Sequence, residues 1–281
     1  GDPETRSVAR FADGDRYEDL RTVVGHLAAV IADGGHRAEV VLDDDRLVDR
    51  AVAIRSGVAW WGKSTMAITP GLGPWFLIGS VVTDLDLAPT RPMERTCGTC
   101  IACIPACPTD AIVEPGVLDA RRCLAAILQG RGSIPRGLRR AVGARVYGCD
   151  DCLTACPPGH PALARLASGP TPDPRDLLGE SDDALLASVA HWYVPGRRAR
   201  FVRRNCLVAI GNTGGTADLP LLAGYLGHPD VLLRSHAAWA IGAVGGAGAS
   251  SVLDAAAAEE PDETVREEIR SARIAASSAG P

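Results

Sequence analysis

"CGTCIACIPACP", from Cys97 to Pro108, constrains the folding of this chain more than any other stretch. Its cysteines at 97, 100, 103 and 107 follow C-x2-C-x2-C-x3-C-P, the spacing by which bacterial chains hold [4Fe–4S] clusters. In that arrangement three cysteines ligate one cluster and the fourth, here Cys107, ligates another. The run therefore demands a second set of thiolates. Cys123 closes "VEPGVLDARRC", and Cys149, Cys152 and Cys156 follow in "CDDCLTACP". The second motif is C-x2-C-x3-C-P, with residues 124–148 inserted between its first and second cysteines. Crosswise ligation assigns Cys97, Cys100, Cys103 and Cys156 to one cluster, and Cys107, Cys123, Cys149 and Cys152 to the other. Two zinc sites are the competing reading, since C-x2-C pairs also bind Zn²⁺. Zinc, however, has no use for the C-x2-C-x2-C triplet or for the proline after the fourth cysteine. The ninth cysteine, Cys206, falls on the apolar face of a helix and reads as a plain buried thiol.

The rest of the chain sorts around this module. Residues 1–95 read as α/β. Leu20, Val23, Val24, Leu27, Val30 and Ile31 recur at helical spacing and stop at Gly34-Gly35. "RAEVVL" (37–42) reads as a buried strand, and a short helix follows from Leu47 to Ser56. "MAIT" and "WFLIGSVVTDL" read as strands flanking the turn "PGLGP". Residues 158–180 are proline-rich and read as a linker. Beyond them a repeat emerges. "RRNCLVAIGN" (203–212) realigns with "LRSHAAWAIGA" (233–243), placing Arg203 on Arg234 and Gly211 on Gly242, and "PDVLLR" (229–234) realigns with "PDETVR" (261–266). A period of about 31 residues with Pro-Asp turns predicts a short stack of HEAT-type helix pairs.

The formal net charge of −5 provides no global basic field, so any nucleic-acid contact has to be local. No apolar run reaches the roughly 18 residues of a membrane span, and "GDPETRSVAR" carries no signal-peptide h-region. Clustered cysteines in such a chain fit metal ligation in a reducing cytoplasm better than disulfides. The start also lacks an initiator methionine, which suggests a truncated piece.

Between Asp43 and Asp151 the chain resembles the epoxyqueuosine reductases, cobalamin-dependent iron–sulfur enzymes of tRNA modification. "LDDDRLVDRAVAIRSGVAWWGKSTM" is similar to the family's "VDSAPVLE…AGLGWIGKH", and "PGLGPWFLIGSVVTDLDL" to its "GSWFFLGEILTDLPL". "RVYGCDDCLTACP" is similar to "NRIYGCDDCQxxCP". The resemblance implies an α+β fold in several parts. A partial nitroreductase-like, cobalamin-binding portion covers 1–95 and a two-cluster ferredoxin-like domain 96–157. A linker and helix (158–190) and HEAT-like repeats (191–281) follow. It implies two [4Fe–4S] clusters feeding base-off cobalamin, and reduction of epoxyqueuosine to queuosine at the tRNA wobble position. The family's general acid falls on Asp43. Lys63 and Ser64, beside Trp60–Trp61, are implied near the cofactor, as are Asp150 and Asp151 at the cluster–corrin junction. Ser64 stands where the family has histidine, and Asp44-Asp45-Arg46 where it has Ser-Ala-Pro. The family's reductase domain begins upstream of residue 1, so part of the cobalamin fold is expected to be missing.

A carboxyl suits the proton-donating role if burial and its neighbours Asp44 and Asp45 raise its pKa. For the tRNA anticodon stem-loop, the candidate phosphate contacts are Arg136, Arg139 and Arg140 in the insert, with Arg197, Arg198, Arg200, Arg203 and Arg204 at the entry to the repeats. The other partner is an electron donor such as a flavodoxin, or a ferredoxin with its reductase. A cytoplasmic monomer with no membrane contact is expected. Two alternatives remain at this stage: a reductive dehalogenase-like cobalamin enzyme, and a ferredoxin-type electron-transfer module without cobalamin.

Overall fold

The computed structural model describes residues 6–166 and 171–278. Among these, helices occupy Arg16–Asp33 (α1), Asp49–Arg55 (α2), Leu124–Gln129 (α3), Arg136–Val142 (α4), Asp151–Thr154 (α5) and His160–Leu163 (α6). Further helices are Pro174–Gly179 (α7), Asp182–Ser188 (α8), Arg200–Thr213 (α9), Leu219–Gly224 (α10), Val231–Val244 (α11), Ala247–Glu259 (α12) and Glu263–Ser278 (α13). Strands Ala38–Val41 (β1), Trp60–Trp61 (β2), Ala67–Ile68 (β3), Ser80–Thr83 (β4), Ile112–Glu114 (β5) and Val117–Leu118 (β6) pair antiparallel, β1 with β4, β2 with β3 and β5 with β6.

These elements gather into two compact units. One comprises 14–120 and 150–168; the other takes in the described parts of 1–13, 121–149 and 169–281. The division differs from the expected boundaries at 95, 157 and 190. The first cysteine run shares a unit with the residues before it, while the insert shares a unit with the repeats.

In the first unit, Asp15 caps α1 by accepting from the Tyr17 and Glu18 amides, and Gly34 ends it. Gly79 lets α1 lie close: a Cβ there would come within 2.7 Å of both Val24 and Leu42. Only part of the expected apolar face is covered, however. Val24 is buried, while Val23, Leu27 and Val30 are 65%, 55% and 69% exposed. The strand at 37–42 was expected to be buried, yet in β1 only Val41 is. The reason is shared: β1 and β4 make a sheet of just two strands, which is too narrow to cover a helix of five turns.

The second unit is built on α9, α11 and α13, and the repeat register seen in the sequence becomes a packing rule. A Cβ on Gly211 would meet the Ala240 Cα at 2.8 Å, and one on Gly242 the Ala272 Cα at 2.6 Å. Glycine thus lets each helix approach the next. Arg203, Arg234 and Arg266 form a matching ladder. Arg203 donates to the Leu178 and Glu180 carbonyls, Arg234 to those of His228 and Pro229, and Arg266 to those of Glu260 and Pro261. The expected linker is partly helical, carrying α6 and α7; its residues 167–170 lie outside the described residues.

The insert adds α3 and α4 to this unit. Leu124, Leu128, Ile134 and Val142 make a small core with Val208 of α9. His236 of α11 is wholly buried; its Nε2 accepts from the Ile134 N–H at 3.2 Å, and its Nδ1 donates to the Leu232 carbonyl at 2.7 Å. Both bonds require the neutral ring, and burial, with Arg139 and Arg204 nearby, holds its pKa well below the usual histidine range.

An unfolded histidine titrates near 6.5, so as pH falls the unfolded chain takes up the proton first. Stability present above that pH is then lost below it. The thermal midpoint of this unit is expected to drop from pH 7.5 to 5.5, and the drop to flatten in His236→Gln. Gly242→Ala would gain about 1 kcal/mol of helix propensity but overpack against Ala272 at a cost of roughly 1–3, for a net loss. Gly137 of α4 has nothing within 4 Å of its Cβ position, so Gly137→Ala should gain up to about 1 kcal/mol in urea melts.

Candidate iron–sulfur and proton-donor sites

Cys97, Cys100, Cys103 and Cys156, the four cysteines of one expected set, line a single cleft of about 150 Å³. The chain reaches this arrangement through tight turns. The Cys100 amide bonds the Cys97 carbonyl, and Gly98 sits at φ +51, a backbone state that glycine adopts without strain. Cys156 follows α5, its amide held by the Leu153 carbonyl. Trp60, Ile68, Met93 and Cys97 pack around it. Lys63 reaches the same loop, its Nζ donating to the Gly98 carbonyl at 2.7 Å. Ser64 is buried in the same wall, as is Trp60, whereas Trp61 is exposed.

Burial pushes the Cys156 thiol up to about 11, with further contributions from Cys97, Cys103 and Cys100. Cys103 is raised by burial and then by Cys97 and Cys100, with Lys63 pulling the other way. Four thiols in one cleft resist becoming four anions, and bound iron reverses that balance. Among the described residues no three His, Cys, Asp or Glu side chains converge on a site for a single metal ion. Zinc needs all its sulfurs about 2.3 Å from one ion, whereas a four-iron cube spreads its ligands over four irons. The indole N–H of Trp60 is buried without a partner, a donor left for whatever fills the cleft. The donor set fits a [4Fe–4S] cluster.

Cys107 belongs to the other set. Burial raises its thiol, but hydrogen bonds centred on Thr109 and Ala111 outweigh this and hold it below the usual range. The Ala111 amide donates to its Sγ at 3.2 Å. Such donors favour a thiolate. Asp150 is buried at the N-terminus of α5, and Asp151 opens that helix, so both stand beside Cys152 in the chain.

Asp43 follows β1 in an exposed bend at φ +47. Aspartate tolerates that left-handed region better than most residues, and its occurrence marks a backbone held by its surroundings. The burial expected for Asp43 is absent. Asp44 is tied up instead: Arg46 bonds both its oxygens and also Glu39, holding the Asp44 carboxyl down to about 2. A residue that sequence reasoning passed over lies next to Asp43. Burial pushes the Asp49 carboxyl up, and the charges of Asp43 and Asp44 add to this. Its Oδ1 is buried without a hydrogen-bond partner. Tyr17 is raised by burial and then by Asp43 and Asp49, which places all three at one spot. Asp49 reads in the sequence as an ordinary first-turn helix acid, and nothing there signals its proximity to Asp43.

Three of the arginines expected on RNA are structural. Arg139, Arg203 and Arg204 are buried. Arg139 pairs with Glu268 at 3.1 Å and donates to the Ile134 carbonyl, Arg203 joins the carbonyl ladder and Asp182, and Arg204 donates only within the second unit. A guanidinium enclosed by carbonyls cannot reach a phosphate. Arg136, Arg140, Arg197 and Arg198 are exposed, and Arg200 is half-buried, paired with Asp230. Arg198 and Arg200 line an open cleft of about 400 Å³.

The family described as a 4Fe-4S double cluster binding domain matches residues 96–159, and the HEAT repeats family matches residues 199–273. Epoxyqueuosine reductase of Bacillus anthracis is 33% identical over 244 residues, covering 82% of this chain and 62% of that protein. The enzyme of Xanthomonas campestris pv. campestris is 35% identical over 253 residues, covering 83% and 69%. A crystal structure of epoxyqueuosine reductase with an epoxyqueuosine-modified tRNA-Tyr stem loop superposes with a TM-score of 0.86 at 30% identity, over 97% of this chain and 76% of that one. A Bacillus subtilis epoxyqueuosine reductase structure, its catalytic aspartate loop swung out of the active site, superposes at 0.85 and 30% identity, over 96% and 75%. The chain thus spans 62% of the length of the Bacillus anthracis relative.

Removing one thiol tests the cleft. Cys156→Ser, reconstituted anaerobically, is expected to retain about four iron atoms per chain where the parent holds about eight, as iron and sulfide analysis would read.

Proposed function

Because this chain belongs to the epoxyqueuosine reductase family, we propose that it reduces epoxyqueuosine to queuosine at the wobble position of tRNA, with electrons passing through two [4Fe–4S] clusters. The observation that carries this reading is the convergence of Cys97, Cys100, Cys103 and Cys156 on one cleft beside Lys63. Cys107, Cys123, Cys149 and Cys152 hold the second cluster in this proposal. Opening the epoxide to an alkene consumes two electrons and two protons and releases the oxygen as water. The chain's own contribution to the breaking C–O bond is a proton. Asp43 supplies it, on a bend that can present its carboxyl, with Asp49 alongside as a second carboxyl of raised pKa. The aspartate loop of the Bacillus subtilis relative supports a loop-borne acid.

Cobalamin and a nitroreductase-like portion are implied by the family resemblance. The cleft that contains Lys63 and Ser64, at about 150 Å³, is smaller than the roughly 300–1,000 Å³ of sites that enclose a small molecule. That cleft is too small to enclose a corrin, and Lys63 donates to the Gly98 carbonyl of the cluster loop.

The tRNA anticodon stem-loop would meet the exposed Arg136, Arg140, Arg197 and Arg198 with Arg200, through phosphates rather than bases. The stem loop bound in a solved relative supports this partner. Among the described residues no helix is long and apolar enough to cross a membrane. A cytoplasmic monomer supplied by a flavodoxin or ferredoxin completes the proposal.

Asp43→Asn decides the acid. Turnover on modified tRNA is expected to fall by about 10²–10⁴-fold, with iron content and RNA affinity unchanged. Unchanged turnover would remove Asp43 from the reaction and make Asp49→Asn the next variant. Arg198→Ala should weaken RNA binding across sequences and reduce the salt slope by about one unit.

A further inference from the structure

Helix α9 meets the insert through polar side chains that touch only the insert's backbone. Arg204, 1% exposed, donates to the carbonyls of Ile127 (3.2 Å), Leu128 (3.3 Å), Gly130 (3.1 Å) and Gly132 (2.6 Å). The Asn205 amide nitrogen donates to the Leu128 and Val146 carbonyls, both at 2.8 Å, and its oxygen accepts from Arg204 at 2.8 Å. No carboxylate is among the hydrogen-bond partners of this buried guanidinium. Its charge faces the carbonyl end of α3, the end of a helix that favours a cation.

The placement of these bonds along the chain suggests their purpose. The residue that caps the opposite end of α3 is Cys123. Val146, held by Asn205, stands three residues before Cys149. Cys149 itself packs against the core of Leu124, Leu128, Ile134 and Val142, which Val208 of α9 completes. Cys149, and Leu124 directly after Cys123, thus sit on one small core whose polar bolts come from the repeats. In the next repeat Ser235 stands at the position of Arg204, and His236, at that of Asn205, makes a single bond to the insert by accepting from the Ile134 N–H. Arg234, at the position of Arg203, bonds its own repeat's His228 and Pro229 carbonyls and Glu260.

We propose that Arg204 and Asn205 are positioning residues that set the placement of Cys123 and Cys149. Arg204 and Asn205 thereby serve the second cluster rather than the RNA. This rests on the cluster reading above. Cluster lability and potential depend on ligand geometry and on hydrogen bonding around the sulfurs, so a shift of the main chain at either thiol registers there.

The test uses the full chain reconstituted anaerobically, with iron analysis and EPR-monitored potentiometry. The parent is expected to show two clusters with about eight iron atoms. Asn205→Ala and Arg204→Gln should shift the midpoint of one cluster, or lose about half the iron, while the other cluster keeps its midpoint. Arg204→Lys, which restores the charge but not the fork, should shift it less. Arg234→Gln, at a repeat arginine whose bonds go to His228, Pro229 and Glu260 rather than to the insert, is the control: its melting temperature should fall with both midpoints unmoved. Should Arg204→Gln fail to fold, Asn205→Ala and Arg204→Lys carry the decision. Variants that melt earlier yet keep both midpoints would overturn the inference, as would Arg234→Gln shifting the same cluster. A parent that takes up no iron would overturn the cluster reading instead, and this inference with it.

Discussion

Four thiols drawn together in one cleft organise the first unit. Cys156 and Cys103 are pushed up by burial and by their sulfur neighbours, a state that favours bound iron over an empty thiolate cage. The surrounding groups follow the same logic. The only lysine in the chain donates from its Nζ to the Gly98 carbonyl of the cysteine loop, and among the described residues the buried indole N–H of Trp60, which lines the same cleft, has no hydrogen-bond partner. Each is a feature that an anionic cluster would use and that an apolar core would not.

Arginine serves a different purpose in the second unit. Backbone carbonyls at helix ends and in the insert's glycine turn have no intrahelical donor, and an arginine can supply one. Arginine supplies several donors from one side chain and stays charged when buried, so a chain with one lysine among 29 basic residues meets the need this way repeatedly. Arg203, Arg234 and Arg266 repeat the same bond down the stack, while Arg204 turns the device outward onto the insert. A basic run that could have been read as one RNA-binding face is split by burial into structural and exposed members.

The first unit is less complete as a core. α1 buries Val24 but leaves Val23, Leu27 and Val30 exposed, because the sheet beside it has two strands. Asp43 sits at the end of one of those strands, and its freedom to stand in an exposed bend has the same origin: little packs over that edge of the sheet.

Spacing along the chain put Cys97, Cys100, Cys103 and Cys156, which line one cleft, in one set, set the repeat register from Arg203 and Gly211, and drew the resemblance from "YGCDDC" and "AWWGK". These are local properties, because covalent connection bounds how far apart neighbouring ligands or successive repeats can lie. Whether an arginine faces solvent or a carbonyl is not local. Arg198 and Arg204 look alike in "GRRARFVRR", yet one is exposed and the other enclosed by carbonyls of the insert. The same holds for Asp49, whose carboxyl is raised first by burial and then by the charges of Asp43 and Asp44. It holds also for the insert, read from sequence as part of the cysteine module. Its backbone hydrogen bonds, satisfied by Arg204, Asn205 and His236, place it with the repeats.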